Sequence, residues 1–206
     1  MPQLAHTLNS RIAHALELVN AGEGVHSQLL PSSPVCRAFH PARLQLLYEL
    51  AYLRVFITWE SFLEQSFLRY LCGYTCGPGP ETLLQPRCRS VPAAARLVLG
   101  SSNFVSWQNT QKILSRCRQF VDRGRHETVI RSHQSRLDSY AAIRNHIAHR
   151  SAHSTTEFDR ATIALSGHRF RGSSAGLFLR SRDVSSRRWL VTVAKDLINL
   201  SAQIVP

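Results

Sequence analysis

Residues 41–72 read PARLQLLYELAYLRVFITWESFLEQSFLRYLC. Leu46, Leu50, Leu53 and Ile57 recur at 4-3-4 spacing, and Tyr52, Phe56, Trp59 and Leu63 form a second apolar stripe. Apolar residues returning every three to four positions mark a helix. A helix apolar on two sides sits centrally in its bundle. The spacing therefore predicts one long central helix from Pro41 to about Cys72. Glu60 and Glu64 continue the Leu46–Ile57 spacing where an apolar residue is due. A carboxylate in a core needs a partner. Arg144 is a candidate for it, and the alternative is that both glutamates face water.

On the N-terminal side, residues 3–20 alternate at helical spacing, and Gly22 and Gly24 are expected to stop that helix. "LLPSSPVC" reads as a loop. On the C-terminal side, "GYTCGPGPET" breaks the chain and "LLQPRCRSVP" continues as loop. Helices are expected over Ala93–Leu99, about Trp107–Val121, and Ser132 to about His149, with "DRGRHET" as a turn. "STTEFDRATIAL" reads as a short helix capped by Thr155 or Thr156. "SGHRFRGSSAGLFLRSRDVSS" reads as a short hairpin or a returning loop. A closing amphipathic helix is expected from about Ser186 to Ile204. The expectation is an all-α fold: one domain over residues 1–206, a bundle of about five main helices around the long central one.

The 206 residues are 44% hydrophobic, enough for a sizeable core. They carry 25 Lys+Arg against 13 Asp+Glu, a net charge of +12, and only Lys112 and Lys195 are lysines. Arginine's planar fork of donors matches phosphate oxygens in pairs. The balance favours a polyanionic partner, nucleic acid before a membrane surface. No apolar run reaches the ~18–20 residues of a membrane helix, and the start lacks a secretory pattern, so a cytoplasmic location with reduced cysteines is expected. Cys36 with His40 and Cys72 with Cys76 have ligand-like spacing. The long helix between them would hold the pairs ~45 Å apart, too far for one tetrahedral zinc. No metal and no cofactor are expected.

The most unusual stretch is "AAIRNHIAHRSAH", Ala141–His153. At about 100° per residue from Arg144, Tyr140, Ile143 and Ile147 fall between about 260° and 320° and form the core stripe. Asn145 and His149 fall near 100° and 140°, on the opposite side with Asp138. Arg144 lies at the border, and His146, near 200°, lies between the two faces. Ala141, Ala142 and Ala148 line the polar face. Arginine and histidine near a helix C-terminus complement its dipole, and alanine favours helix. The alternative is that the small side chains let another surface approach and the polar groups act in the cleft so formed.

Arg144-Asn145-x-x-x-His149, ending a helix in a basic all-α chain, resembles the signature of the HEPN superfamily. "FITWESFLEQSFLRYL" is similar to the aromatic-plus-Glu second helix of those domains. "IRNHIAHR" and the tail "SAGLFLRSR…RRWLVTVAKDLINLSAQI" look like the RiboL-PSP-type branch. Residues 77–107 match no part of it. The resemblance implies a metal-independent endoribonuclease acting as a dimer with both motifs facing one cleft, a toxin or phage-defence role, and a possible inhibitor protein. Elementary chemistry fits this set. RNA supplies its own 2′-hydroxyl nucleophile. A histidine near pKa ~6.5 can move the protons, and a permanently charged arginine can hold the phosphorane.

The candidate catalytic residues are thus Arg144, Asn145 and His149. His146 is expected to orient or support the site, together with Glu60, while Arg136 and Arg150 would hold RNA. The alanine face would admit the second copy. Two other classes remain: a module of the same fold that binds RNA or nucleotide without cutting it, and a helical DNA-binding or adaptor protein. No recognition-helix unit with a tight glycine turn favours the last.

Overall fold

The structure is a computed structural model, and it describes residues 1–28, 33–76, 81–102, 104–172 and 174–206, without the side chains of Cys36 and Ala38. Helix α1 spans Pro2–Gln28, α2 Pro34–Ala38 and α3 Pro41–Leu71. Strand β1, Thr82–Leu83, is followed by α4 (Val91–Leu99) and α5 (Thr110–Phe120). Strand β2, Val121–Asp122, then leads to α6 (Arg125–Ser132) and α7 (Gln134–His149). Helices α8 (Ala152–Ser166), α9 (Ala175–Arg180) and α10 (Trp189–Ile204) complete the order. The class is all-α. The two strands form one short antiparallel ladder, Thr82 with Asp122 and Leu83 with Val121.

Ten helices stand among the described residues, twice the expected number of main helices, because short ones escape periodicity. The turn expected at "DRGRHET" lies largely in α6. Its buried positions include His126 and Glu127 beside Val129 and Ile130, so no apolar stripe announces it, and Gly124 caps it without a side chain. The glycine- and serine-rich stretch near residue 175 holds α9, capped by Ser174. The chain then returns through an antiparallel bridge between Arg182 and Arg188. Helix α1 runs through Gly22 and Gly24. A Cβ on Gly22 would lie 2.7 Å from Leu47 Cδ2, so that glycine permits close packing rather than ending a helix. The cap of α8 is Ser151, in a capping box with Ser154, not Thr155 or Thr156. Parts of the loops expected at residues 29–32 and 77–80 lie outside the described residues, as does the Cys36 side chain.

The chain divides into two compact units, and α1, α3, α7 and α10 contribute residues to each. The first comprises Met1–Leu8, Trp59–Asp138 and Leu197–Pro206. Its core holds Trp59, Phe62, Leu63 and Phe67 of α3 with Ile113, Leu114 and Phe120 of α5. Tyr70 donates to the Ile204 carbonyl at 2.6 Å. His126 lies fully inside, its ring edge-on to Phe67 and Tyr70.

The second unit comprises Asn9–Thr58 and Ser139–Asp196. Tyr48, Tyr52, Val55 and Phe56 of α3 are buried in it, with Tyr140 and Ile143 of α7 and Phe158, Phe178 and Trp189. Tyr52 donates to the Tyr140 carbonyl at 2.8 Å. Glu23 receives Arg180, Arg188 and the Tyr48 hydroxyl. A Cβ on Gly176 would meet the Gln45 carbonyl oxygen at 2.1 Å, so α9 can press against α3 only with glycine there.

One of the two expected stripes of α3 is covered and the other is not. Tyr52, Phe56, Trp59 and Leu63 are buried, but Leu46, Leu50 and Ile57 are each about half exposed, from 46% to 55%. Leu44, Tyr48, Ala51 and Val55 take the second core-facing side instead. Glu60 and Glu64, continuing the outer stripe, are half-buried.

Candidate functional site

Helix α7 carries the Arg-Asn-x-x-x-His sequence on its last turns. Its buried arc is wider than the sequence suggests. Leu137, Ser139, Tyr140, Ala141 and Ile143 are all buried, while Ile147 is only half-buried. Ala141 therefore belongs to the core and not to a flat free face. Ala142 is half-buried and Ala148 exposed, so the expected alanine surface reduces to its C-terminal end.

Arg144 and Asn145 are half-buried, and the Arg144 guanidinium donates to Asn145 Oδ1 at 3.4 Å. Arg144 Nε is shut off from solvent. His149 is exposed at the helix end. Five residues along an α-helix rise ~7.5 Å, which places His149 about one and a half turns beyond Arg144. Its carbonyl accepts from Ser154 Oγ at 3.4 Å, and the Ser151 capping box starts α8 two residues later. The turn after His149 is thereby fixed on both sides.

His146 stacks on Phe158 with ring centroids 4.6 Å apart and planes 17° off parallel. Burial, with the Arg150 charge adding to it, pushes its imidazole below the usual histidine range, which favours the neutral ring. The arrangement holds the inner side of α7 against α8.

Arg150 reaches Glu49 on α3 at 2.9 Å while its side chain stays 68% exposed. Glu49 is buried, and its other oxygen accepts the Gly176 backbone N–H at 3.1 Å. One carboxylate thus ties the residue after the motif helix to the first turn of α9. Glu49 was not singled out from the sequence. The signal available was a glutamate among the core-facing residues of α3, between Tyr48 and Ala51.

Of the sequence candidates, Arg144, Asn145, His146, His149 and Arg150 fall in the second unit, within seven residues of one another. Arg136 and Glu60 belong to the first unit. Arg136 is exposed. Glu60 Oε1 is shut off from solvent, so this glutamate does not simply face water. Asp138 accepts from the Thr110 hydroxyl at 2.6 Å.

Among the described residues, no group of three or more His, Cys, Asp or Glu is placed to hold a metal ion. Among the same residues, no helix is long and apolar enough to cross a membrane. The arrangement at the end of α7 offers one exposed imidazole for proton transfer, one guanidinium for an anionic oxygen and one amide to orient either. No family model, curated protein or solved structure matches the chain.

Proposed function

We propose that the protein is a metal-independent endoribonuclease of HEPN type, acting as a toxin or defence effector that an inhibitor protein restrains. The observation that carries the reading is the exposed His149 following the hydrogen-bonded Arg144–Asn145 pair on one helix. In the proposed reaction His149 takes the proton of the RNA 2′-hydroxyl. The 2′-oxygen bonds to phosphorus, the P–O5′ bond breaks, and an imidazolium returns a proton to the leaving 5′-oxygen. Arg144 stabilises the charge on the phosphorane, and Asn145 orients the phosphate. RNA brings its own nucleophile and arginine supplies the charge, so the scheme needs no metal. The +12 net charge supports an RNA substrate.

A base and an acid call for two imidazoles, and a second copy supplies the second one. With Ala141 buried, the dimer contact is assigned to α3. The 4-3-4 spacing of Leu46, Leu50, Leu53 and Ile57 is the same in both directions. An antiparallel copy about a two-fold axis sets Leu46 against Ile57 and Leu50 against Leu53. Leu50→Arg is expected to give a folded, inactive monomer in sedimentation; a fully active wild-type monomer would remove the dimer from the scheme.

Replacing Arg144 tests the site. In EDTA, Arg144→Ala is expected to lose about 10²–10³-fold of the RNA cleavage rate. Arg144→Lys should lose nearly as much, since a point charge does not reproduce the fork. If both cut at the wild-type rate, Arg144 takes no part in catalysis; wild-type protein that binds RNA but leaves it intact would favour the non-cutting module instead.

A further inference from the structure

A cleft of about 630 Å³ opens in the first unit, around the turn that joins α5 to α6. Arg118 from the last turn of α5 and Arg131 from the last turn of α6 line it, with Arg123 on the turn between. Glu127 is buried, and a single one of its oxygens takes both outer arginines. Arg118 Nε donates to Glu127 Oε1 at 2.9 Å, and Arg131 Nη2 bonds to the same atom. One carboxylate thus holds two guanidiniums side by side. Each guanidinium has five donors, and the two side chains remain 59% and 55% exposed. With Arg123 and Asp122 included, the lining has three guanidiniums against two carboxylates.

Arg123 supplies an independent observation. Its φ is +49°, in the left-handed region. That conformation is unfavourable for a residue with a Cβ, and glycine would adopt it freely. The neighbouring glycine does not sit there. It occupies position 124, where a Cβ would come within 2.7 Å of Val121 Cγ1. An exposed arginine held in a strained conformation at the rim of an arginine-lined cleft is the pattern of a site kept for binding. The Thr128 and Ser132 hydroxyls, one turn apart on α6, add neutral groups on the same lining.

From these features we infer that Arg118, Arg123 and Arg131 form a phosphate-binding cleft that takes the phosphodiester backbone of single-stranded RNA. Glu127 sets the spacing of the two outer guanidiniums, and the phosphate oxygens take their remaining donors. Neither Arg144 nor His149 lines this cleft, so the inference stands or falls apart from the cleavage reading.

The test uses a fluorescent 2′-O-methyl oligoribonucleotide, which has no free 2′-hydroxyl and is not cut by the proposed reaction, and pyrophosphate as a competitor. Arg118→Gln combined with Arg131→Gln is expected to weaken oligonucleotide binding by at least tenfold. The slope of log affinity against log salt should fall by about 1.4, the value for two phosphate contacts on a single strand. That variant strips Glu127 of its partners and could unfold, so Arg123→Gly is the second arm. It is expected to raise the melting temperature, by relieving the strained backbone, while weakening oligonucleotide binding several-fold. Displacement of the oligonucleotide by pyrophosphate in the wild type, lost in the variants, would show that the cleft recognises phosphate in either form. Failure of pyrophosphate to compete, with the variants still losing the oligonucleotide, would mark a site specific for the backbone. Wild-type binding of the oligonucleotide by Arg123→Gly, and by the double variant if it folds, would overturn the inference.

Discussion

His126 and His149 are the same side chain in opposite surroundings. His126 is wholly buried between Phe67 and Tyr70, with Nε2 2.8 Å from the Ser66 hydroxyl. Burial pushes its pKa down to about 3, so it is neutral across the physiological range. His149 stands exposed at a helix end, one residue from an arginine tied to Glu49. His146 lies between these extremes, half-buried on Phe158. Proton transfer needs access to a substrate as well as a suitable ring, and only His149 of the three has full access. The buried ring contributes packing and one hydrogen bond.

Substitution should separate these roles. The largest effect is expected at His149→Ala, with RNA cleavage down ~10²–10⁴-fold and the urea midpoint essentially unchanged. A wild-type rate would erase the distinction between the two histidines. His126→Ala should do the reverse. Removing a buried ring and orphaning the Ser66 contact is expected to cost about 3 kcal/mol in urea unfolding. A midpoint within error of wild type would show that its burial is not used for stability.

Acid sharpens the same contrast. An unfolded histidine takes up a proton near pH 6.5, whereas folded His126 does so only at about pH 3. Between those values the unfolded chain binds more protons, so this contribution is complete above pH 6.5 and is lost as pH falls toward 3. The expected slope approaches 1.4 kcal/mol per pH unit inside that window. Unfolding at pH 7 and pH 5 should differ accordingly, and His126→Leu should flatten the difference. The smallest effect is expected at His146→Ala. It loses a stacked contact of about 0.5–1.5 kcal/mol and keeps most cleavage activity; a loss as deep as that of His149→Ala would move the acid–base role to His146.

The sequence carried the long helices well, α3 and α10 through their apolar periodicity and α7 through its run of helix-favouring residues. It placed both stripes of α3 in the core, where only the Tyr52–Leu63 stripe is covered. Leu46, Leu50 and Ile57 have the spacing of a core and yet lie outside, and spacing alone cannot distinguish a core from an unpaired seam. Helix α6 was hidden because His126 and Glu127 occupy its buried positions, and α9 because glycine is what lets it press against Gln45. The Arg144–His149 motif was legible as a pattern. The Glu49 tie was not, since its partners lie 101 and 127 residues away. Neither was the Glu127 cleft, which depends on two helix ends converging on one carboxylate.

The most direct measurement is end-group analysis of RNA incubated with the purified wild-type protein in EDTA. Attack by the 2′-hydroxyl leaves a 2′,3′-cyclic phosphate on one fragment and a 5′-hydroxyl on the other, and these ends are the expected result. Intact RNA, or fragments ending in 3′-hydroxyl and 5′-phosphate, would contradict the assignment of His149 and Arg144 to this chemistry.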